Sequence, residues 1–422
     1  MSTPQHVVII GAGAVGAATA VQALNAGLRV TLVDAGEPGG QQAASYGNAG
    51  WLSSHSILPP AAPGVWKKVP SWLKDPLGPL AVRWNFLPRA LPWLVRYLRS
   101  AWTWPQVEST AHALRQLLAD APALHQALAA QAGVPQLIEQ RGLLHAFVSE
   151  QQFRAEGRAW EIRRQEGIQW QELHAAALRE REPDLHERYT FGVLVPETGH
   201  CRNPGAYVAA LVRHAESLGA DVRRTRATGF DIQDGKLRAV RTADGDIACD
   251  KAVIAAGVRS RDLARQAGDR VPLAAERGYH AVIRQAEAGP RTSTMFADCK
   301  VVVNAMEGGL RVAGQVEIAD IDATPNWQRA HILRNLLVSI YPALPAAPAN
   351  ERVDYWMGSR PSMPDGLPCI GPASASADIV HAYGHGHTGL VGSARTGELV
   401  VQLIQGQPTT IPLAPFDPRR FR

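Results

Sequence analysis

The N-terminal residues alternate between β-branched runs and small residues in an order that predicts a parallel sheet. Residues 6–10 (HVVII) form a short apolar run, which is typical of a buried strand. A glycine-rich turn follows, and the apolar spacing of AATAVQALNAG then predicts a helix that ends at Gly27. RVTLVD (29–34) is a second apolar run. The order strand, turn, helix, strand therefore predicts one right-handed βαβ unit.

The rest of the chain divides into regions of different pattern. Residues 59–105 are rich in Pro and Trp, and helical patterns follow them to about residue 132. Short strands separated by turn signals return over 221–257, and 278–316 alternates as an antiparallel sheet does. A final strand–glycine–helix unit covers 378–405. The pattern therefore combines parallel and antiparallel sheets with helices, which indicates an α/β protein.

The composition fits a folded chain that forms more than one lobe. Of its 422 residues, 46% are hydrophobic and 19% charged, which excludes a disordered chain. The net charge is +5 without a long Lys/Arg run, so we expect no nucleic-acid partner. The four cysteines form no CxxC pair and are expected to be reduced, buried thiols of a cytoplasmic protein. No apolar run reaches the ~20 residues that a transmembrane helix needs.

The turn GAGAVG has the spacing of a dinucleotide-binding turn. Gly11 permits the tight turn, Gly13 lets the backbone approach a pyrophosphate, and Gly16 lets the helix pack closely on the strand. The helix N-terminus offers N–H groups and a partial positive charge to phosphates. Asp34 ends the second strand, where its carboxylate can accept hydrogen bonds from ribose hydroxyls and would repel the 2′-phosphate of NADP. The motif by itself does not separate FAD from NAD.

Further stretches, in order along the chain, resemble one family. They are SYGNAGWLS (45–53), DVRRTRATGFDIQDGKLRAVRTADGDIACDKAVIAAGVRS (221–260), ERGYH (276–280), GSRPSMPDGLPCIGP (358–372) and GHGHTGLVGSARTGELV (384–400). On these stretches the chain resembles the D-amino-acid oxidase/dehydrogenase superfamily of FAD enzymes, most closely its bacterial D-amino-acid dehydrogenase branch of the small-subunit type. The resemblance implies an α/β fold with a discontinuous, Rossmann-like FAD-binding domain and an antiparallel-sheet substrate domain with helices. The expected boundaries are 1–58, 187–270 and 355–422 for the FAD-binding domain, and 59–186 and 271–354 for the substrate domain.

The resemblance also implies that FAD is bound without a covalent link. Gly358 stands at about the position where sarcosine-oxidase-like relatives carry the cysteine that bonds the flavin. The glycines of YGHGHTGL allow backbone N–H groups to reach the flavin pyrimidine edge at a helix start, where negative charge collects on reduction. The cofactor-binding residues expected from the motif and the resemblance are Gly11, Ala12, Gly13, Ala14, Val15, Gly16, Asp34, Ala35, Ser45, Asn48, Ala49, Gly50, Trp51, Leu52, Ala227, Ala255, Ala256, Gly257, Gly358, Gly386, His387, Thr388, Gly389 and Leu390.

The reaction that the resemblance implies is oxidative deamination of a D-amino acid to a 2-oxo acid and ammonia, with hydride transfer to flavin N5. Arg360 matches the arginine that clamps the substrate carboxylate in related oxidases. Tyr279 and His280 alternate on a strand, so one of them is expected to line the pocket. His55 is expected near the far face of the flavin, and His387 completes the candidate catalytic residues. No acid–base dyad is expected, because none is required if the amine binds in its neutral form.

The sequence leaves several alternatives open. A secondary amine such as D-proline or cis-4-hydroxy-D-proline fits the motifs equally well, and a non-catalytic FAD-binding subunit of an electron-transfer complex is an interpretation from another class. Thr388 replaces a lysine that promotes oxygen reaction in sarcosine-oxidase-like relatives, which favours a quinone or another carrier as electron acceptor. His385 and His387 are two positions apart, but no third ligand stands at metal spacing, so no metal is expected.

The Trp-rich segment, residues 59–105, has two interpretations. Its mixture of Trp with Lys and Arg suits the surface of a membrane. A lid over the active site explains the same composition. In the first case the protein is cytoplasmic and peripheral on the inner face of the membrane.

Overall fold

The predicted βαβ unit begins a parallel sheet in the computed structural model, which describes residues 4–68, 77–78, 80–345 and 352–422. Strand β1 (His6–Ile10) is fully buried and lies between β2 (Arg29–Asp34) and β14 (Lys251–Ile254). The sheet extends through β10 (Asp221–Arg224) beside β2, and through β21 (Ile379–Tyr383) and the antiparallel edge strand β20 (Cys369–Pro372) beside β14. The carboxyl ends of its parallel strands therefore meet at one edge, where such sheets bind ligands.

Helix α1 (Ala14–Asn25) joins β1 to β2 and is buried along most of its length. It packs against α11 (Ser393–Gln405) and α8 (Pro204–Ser217). The contact with α11 is close because Gly397 faces the backbone of Thr19, and a Cβ there would lie 3.0 Å from the Thr19 nitrogen. Small residues thus allow α1 to pack closely on its neighbours, and this packing supports the glycine-rich turn.

A second, mostly antiparallel sheet carries the rest of the site, and we call it the large sheet. Its strands, in order, are β19 (Val353–Ser362), β15 (Ala274–Ile283), β18 (Gly309–Ile318), β17 (Val301–Met306), β16 (Thr294–Phe296), β6 (Leu143–Phe147), β8 (Phe191–Val195) and β7 (Gln171–His174), with β4 (Leu80–Val82) beside β18. Strands β15 and β19 pair over ten residues, and the register places Glu276 opposite Arg360. A second apolar core fills the space between this sheet and α10 (Gln328–Ile340).

Strands near two of the expected domain boundaries belong to the large sheet. Strand β8 pairs with β6 and β7, so the residues after 187 begin in the large sheet and not in the FAD-binding part. The boundary expected at 355 falls inside β19, all of which pairs with β15. Strand pairing joins residues that are far apart in the sequence, and the local pattern of each strand does not show which sheet it enters.

The remaining elements connect the two sheets or cover them. The strands are β3 (Trp51–Leu52), β5 (Ile138–Glu139) and β9 (Gly199–Cys201) in one small sheet, and β11 (Ala227–Gln233), β12 (Lys236–Thr242) and β13 (Gly245–Ala248) in another. The helices are α2 (Leu87–Ser100), α3 (Trp104–Leu118), α4 (Ala121–Gln131), α5 (Glu150–Ala155), α6 (Gly157–Gln165), α7 (Ala175–Arg181) and α9 (Ser260–Gln266). No helix in the described part of the chain has the length and hydropathy needed to cross a membrane.

Candidate active site

A cavity of about 2350 Å³ receives residues from both sheets and from helix α2. The carboxyl ends of β1, β2, β14 and β21 form one wall. Residues of β15, β18 and β19 form another. The volume exceeds that of a pocket for a small molecule alone, which is typically about 300–1,000 Å³. It is large enough for a dinucleotide together with a small substrate.

The glycine-rich turn has the geometry that its motif predicts. Gly11 has a φ of +109°, and a Cβ there would collide with the carbonyl oxygen of Ala255, which directly follows β14. A Cβ on Gly16 would collide with the Gly11 carbonyl oxygen, so this glycine sets the distance between α1 and the turn. Gly13 faces the cavity and has only the Ser45 hydroxyl nearby, 3.6 Å from a Cβ position. The turn therefore leaves an open cradle at the N-terminus of α1, as a pyrophosphate requires.

Asp34 is fixed at the edge of this cradle. Its Oδ2 accepts a hydrogen bond of 2.7 Å from the Ala12 N–H, and its Oδ1 accepts one of 2.8 Å from the Gly36 N–H. Each carboxylate oxygen can accept a second hydrogen bond, and Asp34 lines the cavity. The cradle, the helix N-terminus and this acceptor together fit the diphosphate and ribose of FAD.

The segment from Ser45 to Leu52 is held between the two sheets. Ser45 Oγ accepts a hydrogen bond of 3.0 Å from the Ala14 N–H at the start of α1. Arg311 on β18 donates a hydrogen bond of 2.8 Å to the Asn48 carbonyl, and the Trp51 indole N–H donates to Ser293 Oγ at 2.5 Å. The segment therefore lies along the cavity and is held by hydrogen bonds to elements on both sides of it.

Most of the residues expected to bind the cofactor line the cavity. They are Gly11, Gly13, Ala14, Val15, Asp34, Ala35, Ser45, Asn48, Ala49, Trp51, Ala227, Ala255, Ala256, Gly257, Gly358, Gly386, His387, Thr388, Gly389 and Leu390. Ala12, Gly16, Gly50 and Leu52 are outside the lining and support it from behind. Gly358 needs to be a glycine for a local reason, because a Cβ there would collide with the ring of Trp356.

Arg360 lies in the wall formed by the large sheet, as the sequence predicts for a carboxylate clamp. Its Nη1 is 3.3 Å from Glu276 Oε1 and 3.3 Å from the Gln315 carbonyl oxygen. The guanidinium lies over Gly278, where any Cβ would collide with it. Burial lowers the pKa of Arg360, and the charge of Glu276 opposes that shift. Both contacts use Nη1, so the remaining nitrogens are available to a ligand in the cavity.

Glu276 is the residue that the sequence interpretation missed. Its side chain is 6% exposed, its Oε1 lies 2.5 Å from His387 Nε2, and its Oε2 accepts a hydrogen bond of 3.0 Å from Ser362 Oγ. Burial opposes ionisation, but His387 and Arg360 outweigh it and hold the pKa of Glu276 to about 2. Opposite charges on the two strands, in ERGYH and GSRPS, were the available signal.

Tyr279 and His280 alternate on β15 as predicted, and only Tyr279 belongs to the cavity lining. The Tyr279 hydroxyl donates to Glu317 Oε2 at 2.8 Å, which ties it to the large sheet. His280 stacks on Trp356 with the ring centroids 5.0 Å apart. Burial lowers the pKa of His280 to about 3, so it is neutral. The indole of Trp356 covers the ring of His280, so Tyr279 is the one of these two residues that lines the cavity.

His55 lies behind the wall of the cavity. Its Nε2 is 2.8 Å from His145 Nε2, and the Trp51 ring packs on both imidazoles with centroids 5.9 and 5.5 Å away. Trp51 and His145 line the cavity, whereas His55 does not. Burial lowers the pKa of both histidines well below the usual value. The expected contact of His55 with the flavin is therefore replaced by a contact with His145.

The histidines of the C-terminal glycine loop have different partners. Gly384 and Gly386 have φ values of +89° and +53°, which turn the chain from β21 toward α11. His385 is buried with Nε2 2.9 Å from Thr396 Oγ1, and burial lowers its pKa to about 3. His387 extends into the cavity toward Glu276, with 49% of its side chain exposed. Among the described residues no group of three potential ligands could hold a metal ion.

The Trp-rich segment contributes side chains to the cavity wall and also carries exposed apolar side chains. Trp93 and Tyr97 on α2 line the cavity, and the Trp93 indole N–H donates to the Ser362 carbonyl at 3.3 Å. The segment also exposes apolar side chains, namely Trp66, Trp84, Leu91, Val95 and Trp102. Trp72 and Lys74 lie outside the described residues. Helix α2 therefore contributes Trp93 and Tyr97 to the cavity wall and exposes Leu91 and Val95 among arginines.

Comparison with known proteins gives one consistent family. The profile of the family described as DAO, FAD dependent oxidoreductase, matches residues 6–403. A D-amino-acid oxidase of Bradyrhizobium diazoefficiens is 60% identical over 421 residues, which cover 100% of both chains. Glycine oxidase from Geobacillus kaustophilus has the same fold, with a TM-score of 0.75 at 23% identity over 98% of each chain. L-proline dehydrogenase from P. horikoshii has a TM-score of 0.72 at 18% identity, covering 100% of this chain and 98% of that one.

Proposed function

The chain belongs to the DAO family of FAD-dependent oxidoreductases, and we propose that it oxidises D-amino acids to 2-oxo acids and ammonia. The observation that carries the proposal is a partly buried arginine, Arg360, in the wall of a cavity whose other end fits a dinucleotide. The full-length similarity to a D-amino-acid oxidase supports the same substrate class. A subunit without catalysis would not need this arginine. The alternative, a non-catalytic FAD-binding subunit of an electron-transfer complex, therefore has less support.

The residues of the glycine-rich turn, Asp34 and Ser45 would hold the adenosine and diphosphate of FAD. The loop from Gly386 to Leu390 would hold the flavin through its backbone N–H groups. When bound, the flavin supplies the acceptor for the hydride that leaves the substrate Cα. The four cysteines of the chain lie outside the residues that line the cavity, in agreement with a cofactor that is not bonded through sulfur.

Arg360 would hold the substrate carboxylate through its free edge. A guanidinium binds a carboxylate through two parallel hydrogen bonds, which fixes the position of the Cα hydrogen. Trp93 and Tyr97 on α2 are buried in the lining of the same cavity and would keep water from the substrate. Orientation and exclusion of water are the main contributions that the protein makes to a reaction of this kind.

The proposal is tested by product analysis of the purified holoenzyme with an artificial electron acceptor. D-alanine, D-proline, cis-4-hydroxy-D-proline and sarcosine form a panel that separates primary from secondary amines. Formation of a 2-oxo acid and ammonia from a primary D-amino acid is the expected result. Turnover of D-proline or hydroxyproline alone would replace the proposal with a secondary-amine dehydrogenase.

We further propose that the electrons pass to a quinone or another carrier. Thr388 occupies the position where a lysine promotes oxygen reaction in sarcosine-oxidase-like relatives, and its hydroxyl donates to the His385 carbonyl at 2.8 Å. The relative from Bradyrhizobium carries the name oxidase, so O₂ is the alternative acceptor to be tested for this chain. Release of peroxide during turnover in air separates the two acceptors.

The exposed side of the Trp-rich segment supports a contact with a membrane surface. Leu91 and Val95 are exposed on α2, close in sequence to Trp84 and Trp102. Arg89 nearby has 77% of its side chain exposed. Aromatic and aliphatic groups mixed with cations are the combination that anionic lipid interfaces bind. Such a contact would place the protein next to membrane quinones.

A further inference from the structure

We propose that His387, held by Glu276, accepts the proton that the substrate ammonium group loses before its Cα hydrogen leaves. This inference rests on the proposed function. A free amino acid is a zwitterion near neutral pH, and removal of hydride from Cα needs the lone pair of a neutral amine. The site must therefore select the rare neutral form or remove a proton after binding, and the structure contains a pair suited to the second route.

The geometry of the pair fixes the role of each nitrogen of His387. Nε2 is 2.5 Å from Glu276 Oε1, and Glu276 has a carboxylate that only accepts hydrogen bonds because its pKa is held to about 2. Nε2 consequently carries a hydrogen in either charge state of the imidazole. Nδ1 of the neutral ring is then the acceptor. A carboxylate behind a histidine plays the same orienting part in other proton-transfer sites.

The pair stands beside the proposed carboxylate clamp. Glu276 Oε1 contacts both His387 Nε2 and Arg360 Nη1, at 2.5 and 3.3 Å. A substrate whose carboxylate binds Arg360 has its amine one carbon away from that carboxylate. His387 contacts the same Glu276 carboxylate as Arg360 does, and half of its side chain is exposed. The imidazolium formed by proton transfer would be stabilised by the buried charge of Glu276.

This role does not fit the other titratable groups around Glu276. It does not fit Tyr279 or His280 either. Arg360 is a cation and has no proton-accepting site. Tyr97 donates its hydroxyl to the Pro60 carbonyl at 2.9 Å, and burial followed by the charge of Glu276 raises its pKa. Tyr279 is bound to Glu317, and His280 lies beneath Trp356 outside the cavity lining.

The proton transfer is balanced without a further reactant. One N–H bond of the substrate ammonium breaks, and a hydrogen forms a bond with Nδ1 of His387. The electron pair stays on the substrate nitrogen as the lone pair that assists loss of hydride from Cα. The proton leaves the imidazolium to solvent after the product departs, since half of the His387 side chain is exposed.

The first test is the pH profile of anaerobic flavin reduction in the wild type and in His387→Gln. At pH 7 the variant should lose about 10²–10⁴-fold in kcat/KM, the usual contribution of a positioned acid or base. Above the pKa of the free substrate amine the loss should nearly vanish, because the amine then arrives neutral. A loss of the same size at every pH, or no loss at pH 7, would contradict the proposal. His112→Gln is the matched control, since it removes an exposed imidazole that lies 3.2 Å from Glu166.

The second test does not depend on turnover. 2-Aminoisobutyrate has the carboxylate and ammonium of the substrate but no Cα hydrogen, so it can bind without being oxidised. In holoenzyme labelled with ¹⁵N-histidine, the signal missing in His387→Gln identifies His387. Binding of the analogue at pH 7 should shift that signal to the doubly protonated form, and an unchanged tautomer would overturn the proposal. If no D-amino acid reduces the wild-type flavin, the proposed function itself fails. If the flavin is reduced but the His387 signal does not change, only the role of His387 fails.

Discussion

Replacing Arg360 removes the guanidinium that strand β19 presents to a substrate carboxylate in the cavity. In Arg360→Ala the substrate loses an ion pair and two charge-assisted hydrogen bonds, and Glu276 loses the guanidinium beside its Oε1. The Arg360 side chain is 21% exposed, so solvent screens the pair only in part. Loss of one partner from a buried pair typically costs about 3–5 kcal/mol. That cost corresponds to roughly two to three and a half powers of ten in kcat/KM.

The assay is anaerobic flavin reduction by the best D-amino acid in the wild type, Arg360→Ala and Arg360→Lys. Lysine should recover only part of the loss, because an ammonium cannot form the bidentate pair. FAD content should stay normal in both variants. Arg334→Ala is the control, since Arg334 is a partly exposed arginine of α10 that bonds Asn335 and lies outside the cavity lining. Flavin reduction by Arg360→Ala within threefold of the wild-type efficiency would refute the clamp.

Four further outcomes follow from the site. Asp34→Ala should weaken FAD retention by about 1.5–3 kcal/mol for each charged hydrogen bond lost, measured by flavin release on dilution, and full retention would contradict the ribose contact. Thr388→Lys should speed the reaction of reduced flavin with O₂. Rapid peroxide release by the wild type would contradict the hypothesis that the electrons pass to a quinone or another carrier. Trp84→Ser should reduce co-sedimentation of the protein with anionic vesicles relative to neutral ones. Equal binding of wild type and variant would exclude this surface as the membrane contact. The pKa of Glu276 falls from 4.5 to about 2 on folding, so its stabilising contribution is complete above about pH 4.5 and is lost as the pH falls toward 2. The difference in unfolding free energy between wild type and Glu276→Gln should therefore shrink between pH 5 and pH 3, and a constant difference would contradict the ionised buried state.

Local pattern was sufficient for the dinucleotide end of the site. The apolar run at 6–10, the glycine spacing and Asp34 all depend on neighbours in the sequence, and the structure has them in the predicted βαβ unit. The motif around Arg360 likewise placed that side chain in the cavity wall.

The failures have a common physical origin in non-local pairing. Glu276 acquires its meaning only when β15 pairs with β19, more than eighty residues later in the chain. His280 is covered by Trp356 across the same pair of strands, and His55 is bound to His145 on β6. No single stretch of sequence contains these contacts, so alternation along one strand could not decide which side chain reaches the cavity.

The central claim is that bound FAD in this cavity oxidises D-amino acids held by Arg360. The most direct measurement is the loss of flavin absorbance when D- and L-alanine are added separately to the purified protein without oxygen. We predict a yellow protein that the D-enantiomer bleaches and the L-enantiomer leaves unchanged. A colourless protein that binds NAD, or a flavin that neither D-alanine nor any other D-amino acid reduces, would contradict the account.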